Sequence, residues 1–344
     1  MTEAYLYNKL DDGRVECFLC AHRCVIADGR RGLCGVRENR QATLYSLVYG
    51  KLATAHIDPI EKKPLYHFHP ASKTLSIATV GCNFRCLHCQ NADLSQYPKS
   101  FREDFTIIVN DKYSSPAEVI EAALNNDCRS VSYTYSEPTV FFEFALECAK
   151  LAREKALKNV FVSNGFMTPE SVQEIIPYLD ANNIDLKGDD EFYRKVCGGR
   201  VEPVKDTIRR MAEAGVWVEV TTLVIPGYND SEDVLRSIAD FICSVNSSIP
   251  WHVTRFHPTY KMTDRPWTST ESLTMARQIG LEAGLRYVYQ GNAYSERAED
   301  TRCPSCKTSL IKRHGFSVTE NILNMDKNGN GLCPVCSTKI DGVW

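Results

Sequence analysis

The chain has 344 residues, 43% apolar and 24% charged, enough for one full core with small appendages. Forty basic residues against 43 acidic ones give a net charge of -3, so no global field recruits nucleic acid or an anionic membrane, and neither is an expected partner. No basic segment followed by an apolar one opens the chain and no window approaches 18 apolar residues, so a cytoplasmic protein is expected.

Fifteen cysteines, an odd number in a long chain, point to metal ligation rather than a disulfide scaffold. The first cluster is Cys17, Cys20, Cys24 and Cys34, spaced C-x2-C-x3-C-x9-C, with Gly32 and Gly35 to turn the chain. Four soft ligands at this density suit zinc or an iron-sulfur cluster; His22 reads as a neighbour of the site, not a ligand. Residues 56–70, punctuated by Pro59, Pro64 and Pro70, read as an extended arm leading into the core, with His67 and His69 as candidates for substrate contact.

The apolar run 75–80 leads into Gly81-Cys82-Asn83-Phe84-Arg85-Cys86-Leu87-His88-Cys89. Three thiolates spaced C-x3-C-x2-C hold three corners of a 4Fe-4S cube and leave the fourth iron open, where chemistry can occur.

From there strands and helices alternate. Strand-like runs are predicted at 75–80, 130–135, 159–162, 183–186, 216–224 and 252–256, with a further candidate at 287–289. Helix starts are announced by Ser115-Pro116-Ala117-Glu118, Thr168-Pro169-Glu170, Asn229-Asp230-Ser231-Glu232 and Thr268-Ser269-Thr270-Glu271. Six βα units, too few for a closed eight-fold barrel, predict an α/β fold with an open or partial barrel and ligands at the C-terminal strand ends. The residues there are Ser136-Glu137-Pro138, Ser163-Asn164-Gly165, Asp185-Leu186-Lys187, Pro226-Gly227 and His257-Pro258.

The last cluster pairs Cys303-Pro304-Ser305-Cys306 with Cys333-Pro334-Val335-Cys336, a metal-ribbon pattern suited to zinc or a single iron. Cys128, Cys148, Cys197 and Cys243 stand alone and read as small packing residues.

The C-x3-C-x2-C loop resembles the signature of the radical S-adenosylmethionine enzymes. A closer resemblance, carried by residues 17–39, 56–70, 82–91, 133–139, 162–166, 185–188, 225–230 and the terminal ribbon, is to the radical enzyme of the AmmeMemoRadiSam system, related to the pyruvate formate-lyase activating enzymes. The resemblance implies a partial (β/α)6 barrel as radical SAM core over 71–297. A cysteine-rich module and arm would precede it over 1–70, and a zinc-ribbon or rubredoxin-like module would follow over 298–344. It implies Cys82, Cys86 and Cys89 as ligands of a 4Fe-4S cluster. Ser136, Glu137 and Pro138 would then meet the methionyl amino group of S-adenosylmethionine, Ser163, Asn164, Asp185 and Lys187 its ribose and carboxylate, and His257 would line the site as a catalytic group. The implied reaction is reductive cleavage of S-adenosylmethionine to a 5'-deoxyadenosyl radical that takes hydrogen from a small molecule or a partner protein. The electron would come from a flavodoxin- or ferredoxin-like donor. Because such a donor can reach the cluster directly, zinc is the preferred occupant of the N-terminal site. The competing reading is a metal-binding interaction protein whose four-cysteine modules dock a partner beside an idle core.

Overall fold

The computed structural model describes residues 1–100, 113–292 and 297–344. Seven strands lie side by side and parallel, in chain order: β2 (Lys73–Ala78), β3 (Ser130–Tyr133), β4 (Lys158–Ser163), β5 (Ala181–Asp185), β6 (Trp217–Val224), β7 (Trp251–Arg255) and β8 (Val288–Gly291). β1 (Thr54–Pro59) adds an eighth strand, antiparallel to β2, on one edge. The predicted strands all form. They are covered on both faces, and so carry near-continuous apolar or buried residues, as in β3, where every residue is buried.

The helices linking these strands are α1 (Pro116–Asn125), α2 (Phe142–Glu154), α3 (Pro169–Ile175), α4 (Glu202–Glu213), α5 (Glu232–Val245) and α6 (Thr270–Glu282). Ser115, Thr168, Ser231 and Ser269 cap α1, α3, α5 and α6 with their side chains, each satisfying an orphan N–H of the first turn. The starts of α2 and α4 carry no side-chain cap. Their apolar faces, including Phe142, Leu146, Ala149, Val204, Ile208 and Met211, are buried in the core, and packing supplies their stability.

The arm divides in two. Its first part is strand β1, because extended residues complete the exposed edge of β2, and Pro59, lacking an N–H, falls at the strand's last position. The second part runs beneath the starts of β6–β8: the Tyr66 and His67 amides donate to the Glu219 carboxylate at 3.0 and 2.8 Å. Phe68 pairs with Val343 of the C-terminal tail. His67 and His69, expected to meet substrate, are buried here instead. The His67 ring lies between the Asp341 carbonyl and the Tyr289 hydroxyl, 2.6 Å from each. A carbonyl only accepts, so Nδ1 carries the proton and Nε2 accepts from Tyr289.

Burial holds His67 down to about 4, against an unfolded value near 6.5. The folded pKa is depressed, so the stability it contributes is present above pH ~6.5 and lost as pH falls toward ~4. Acidification across that window is expected to loosen the arm and tail by about 3 kcal/mol, read as a fall in Trp344 fluorescence anisotropy that His67→Phe no longer shows.

The N-terminal residues form two small antiparallel sheets, and Leu19, Ile26 and Val36 join the same core as Val80 and Phe84. A buried ion pair, Arg37 Nη2 to Glu143 at 2.5 Å, fastens this module to α2. The C-terminal residues form two more three-stranded sheets whose Leu310, Ile311 and Ile340 pack on Tyr66, Tyr287 and Tyr289. No described helix is long and apolar enough to cross a membrane.

Candidate active site

The loop after β2 sets the chemistry. Gly81 has φ +107°, and a Cβ there would press on Val36 at 2.7 Å, so only glycine turns the chain this tightly against the N-terminal module. The loop is then pinned along its length. The Arg85 amide donates to the Cys197 carbonyl at 2.7 Å, the Leu87 amide to Val196 at 3.0 Å, and Asn91 Nδ2 to the Tyr135 carbonyl at 2.8 Å.

Cys82, Cys86 and Cys89 all line one cavity of about 480 Å³, within the roughly 300–1,000 Å³ usual for ligand sites. Cys82 Sγ accepts from the Phe84 amide at 3.4 Å and from Asn164 Nδ2 at 3.7 Å, an arrangement that favours the thiolate. Burial, with the neighbouring Cys86 thiol, pushes the Cys82 and Cys89 thiols up, Glu137 adding to this at Cys82; for Cys86 the hydrogen bond with Cys197 raises it most, and burial acts in the same direction. Such thiols ionise against a bound cation, which reverses the local balance.

The loop after β3 makes its turn at Tyr135, with φ +59°. A non-glycine residue in this region is strained by about 1–2 kcal/mol. The Tyr135 ring offsets it by lying 4.5 Å from Lys63 Nζ and hydrogen-bonding Asp58 through its hydroxyl. Glu137 follows, buried. Its Oε1 accepts from the Thr139 amide, the Thr139 hydroxyl and the Ser163 hydroxyl at 3.0, 2.6 and 2.7 Å, and Oε2 accepts from the Asn164 amide at 2.8 Å. One carboxylate thus joins the ends of β3 and β4. Oε2 keeps acceptor capacity, and Glu137 lines the cavity.

Lys187 lies 2.7 Å from Asp185. Burial opposes its charge, but Asp185 and the thiols of Cys86 and Cys197 outweigh that and hold it above its ordinary value. It lines the cavity with Asp185, Ser136, Ser163 and Asn164. The Ser136 hydroxyl and His88 Nδ1 are buried there without a hydrogen-bond partner among the described residues, groups that a polar ligand would satisfy. Three thiols on one cavity wall, a carboxylate oxygen with acceptor capacity left, a cation and orphaned polar atoms fit the 4Fe-4S cluster and S-adenosylmethionine that the loop resemblance implies.

Two expected residues stand apart. Pro138 is the first residue of a short 3-10 turn and lies outside the cavity wall, since its ring serves to start that turn. His257 packs on Trp267, ring centroids 5.4 Å apart, and does not line the cavity; it falls beyond the end of β7, where the chain turns away toward Thr268.

Cys197, read as a packing residue, is buried in the core as expected, but it also lies with Cys86 and His88 so that their ligand atoms fall within 4.8 Å of one another, a proximity that sequence reasoning missed. It ends a π-helical turn, Tyr193–Cys197, the kind of irregularity that re-aims a side chain at functional sites. The available signal was Gly198-Gly199: a Cβ on Gly199 would collide with the Phe84 ring, so the pair marks where this turn meets the cluster loop.

At the far end of the chain, the sulfurs of Cys303, Cys306, Cys333 and Cys336 lie within 4.8 Å of one another. Cys303 to Cys336 and Cys306 to Cys333 are each 3.6 Å. Cys128 and Cys148 are core packing residues, as expected.

A model of the radical SAM superfamily matches residues 76–238. An uncharacterized protein of Methanocaldococcus jannaschii is 44% identical over 347 residues, covering 100% of both chains. The pyruvate formate-lyase-activating enzyme of Clostridium pasteurianum is 21% identical over 184 residues, covering 50% of this chain and 72% of its own. The pyruvate formate-lyase 1-activating enzyme of Escherichia coli strain K12 is 21% identical over 164 residues, covering 47% and 65%. The matched span begins in β2 and takes in the cysteine loop, Glu137, Asn164 and Lys187, the residues that build the cavity. The chain thus carries a radical SAM domain over residues 76–238 and is an enzyme of the radical SAM type, with homology to the pyruvate formate-lyase activating enzymes.

Proposed function

We propose that this enzyme holds a 4Fe-4S cluster on Cys82, Cys86 and Cys89, binds S-adenosylmethionine beside it, and takes hydrogen from a substrate admitted to the same cavity. The carrying observation is the meeting of the three thiols with Glu137, Asp185 and Lys187 on one cavity wall. When bound, the cluster and S-adenosylmethionine supply one-electron cleavage to methionine and a 5'-deoxyadenosyl radical. The protein's part is placement. Glu137 Oε2 would accept from the methionyl ammonium, Lys187 would pair with its carboxylate, and the cavity walls would limit water at the reactive carbon.

Asn183, Thr221, His252 and Glu299 extend the wall away from the cysteines, which supports a substrate bearing polar groups. Whether that substrate is a small molecule or a glycine of a partner protein separates an AmmeMemoRadiSam-type role from an activase role. The open sheet of six βα units with a closing strand supports the partial-barrel description, and a flavodoxin- or ferredoxin-like protein remains the proposed electron source. The interaction-protein reading is disfavoured by the orphaned Ser136 and His88 atoms, which an idle core would have no reason to keep buried. Anaerobically reconstituted protein should show broad absorbance near 400 nm (about four irons in this site) and, with dithionite, form 5'-deoxyadenosine. A fully assembled cluster without cleavage would overturn the proposal.

We also assign zinc to the C-terminal site. With Zn–S near 2.3 Å, tetrahedral sulfurs stand about 3.8 Å apart, close to the observed 3.6 Å. The Cys333→Ser chain is expected to lose about one zinc and to expose Tyr66 and Tyr287, against which the ribbon packs. Metal analysis and near-ultraviolet circular dichroism read both; retained zinc would refute the assignment.

A further inference from the structure

The N-terminal cysteines differ from the C-terminal ones in a way that bears on what they hold. Cys17, Cys20, Cys24 and Cys34 line one small cavity, walled by apolar side chains such as Leu19 and Val140. Among the described residues, the groups whose ligand atoms fall within 4.8 Å of one another include the C-terminal four but no three of these N-terminal sulfurs. The Cys82, Cys86 and Cys89 trio is spread in the same way. A single zinc draws its thiolates to about 3.8 Å, whereas thiolates on the corners of an iron-sulfur cube stand roughly 6 Å apart. Among the described residues, the N-terminal sulfurs are thus not drawn together as those of the ribbon are, a trait they share with the radical-cluster loop.

An independent observation concerns Arg37, which lines this cavity and is 1% exposed. Its Nη2 is engaged by Glu143, but Nε and Nη1 have no hydrogen-bond partner among the described residues. Buried guanidinium donors left unpaired are costly, and a native fold retains them where an acceptor belongs. The acceptors that four surrounding cysteines imply are the sulfurs of a negatively charged metal-thiolate centre.

The cavity also adjoins the radical-cluster loop. His22, between Cys20 and Cys24, meets the Asn83 carbonyl with Nε2 at 2.9 Å. A carbonyl cannot donate, so Nε2 carries the proton. Ala21 donates to Phe166, Cys20 pairs with Met167, and a Cβ on Gly81 would lie 3.5 Å from the Cys34 carbonyl. One hydrogen bond therefore separates the Cys20–Cys24 turn from the Cys82–Cys86 turn.

We propose that Cys17, Cys20, Cys24 and Cys34 hold a second 4Fe-4S cluster, with Arg37 donating to its sulfurs, seated one hydrogen bond from the radical-cluster loop. This replaces the zinc expected from sequence. It rests on the radical SAM reading only for its neighbour, because its own ligands lie outside that site.

The test is a metal count and electron paramagnetic resonance on the full chain, assembled anaerobically. The triple variant Cys82→Ala, Cys86→Ala, Cys89→Ala should retain about four irons and about one zinc per chain, with a dithionite-reduced signal unmoved by S-adenosylmethionine. Near-zero iron with about two zincs would overturn the proposal. Should that variant not fold, wild-type protein decides: about eight irons, with S-adenosylmethionine perturbing one of two reduced signals, supports it, and about four irons with about two zincs overturns it. Protein with about eight irons that never cleaves S-adenosylmethionine would defeat the proposed function and leave the second cluster standing.

Discussion

The Cys86→Ala enzyme is expected to have no measurable S-adenosylmethionine cleavage, a loss of at least about four orders of magnitude if the cofactor chemistry requires an intact site. Cys86 is the most enclosed of the three loop cysteines, 9% exposed, with the Cys197 sulfur within 4.8 Å of its own. The loop around it is fixed by backbone bonds from Arg85 and Leu87 that do not involve its sulfur, so the protein should still fold. Cys197 is the one nearby thiol that a rearranged cluster might recruit; the Cys86→Ala, Cys197→Ala double variant should therefore lose whatever iron the single variant keeps. Measurement of 5'-deoxyadenosine alongside iron content checks both. Full cleavage by the single variant would remove the basis for the site.

Glu137→Ala is expected to be damaging by a different route. Removing the carboxylate strands four buried donors, two from Thr139 and one each from Ser163 and Asn164. Leaving such groups unpaired costs on the order of 3–5 kcal/mol in stability. The larger consequence is geometric: with the bridge gone, Asn164 no longer holds its place 3.7 Å from Cys82 Sγ. Cleavage should fall at least about a hundredfold, since a displacement of an ångström at a positioned site costs that much. Thermal unfolding and the cleavage rate, measured together, separate the two effects. A variant with wild-type values of both would show that Glu137 does not organise this rim.

Much of this molecule is legible without coordinates. Local chemistry announces α1, α3, α5 and α6, because a serine or threonine cap is a property of four consecutive residues. The same holds for the strands, whose short runs recur between the helix starts, and for the three cysteine clusters, whose spacing is itself the signal. α2 and α4 have no such mark. Their starts are held by packing against the sheet, which is a contact between distant residues.

What the sequence by itself determined is therefore the αβ rhythm, the cysteine clusters as spacings and the rim to which Ser136, Glu137, Asn164 and Lys187 belong, since each is written in short local runs. Only the tertiary structure decided the rest. Cys197 reaches Cys86 from 111 residues away through a π-helical turn. His67 faces the C-terminal tail rather than substrate because the arm passes beneath the sheet. His257 falls to Trp267, and Arg37, held by Glu143 at a separation of 106 residues, brings unpaired donors to the N-terminal cysteines. These assignments turn on long-range packing, where burial sets which polar groups must find partners, and no local pattern encodes which distant side chain will supply them.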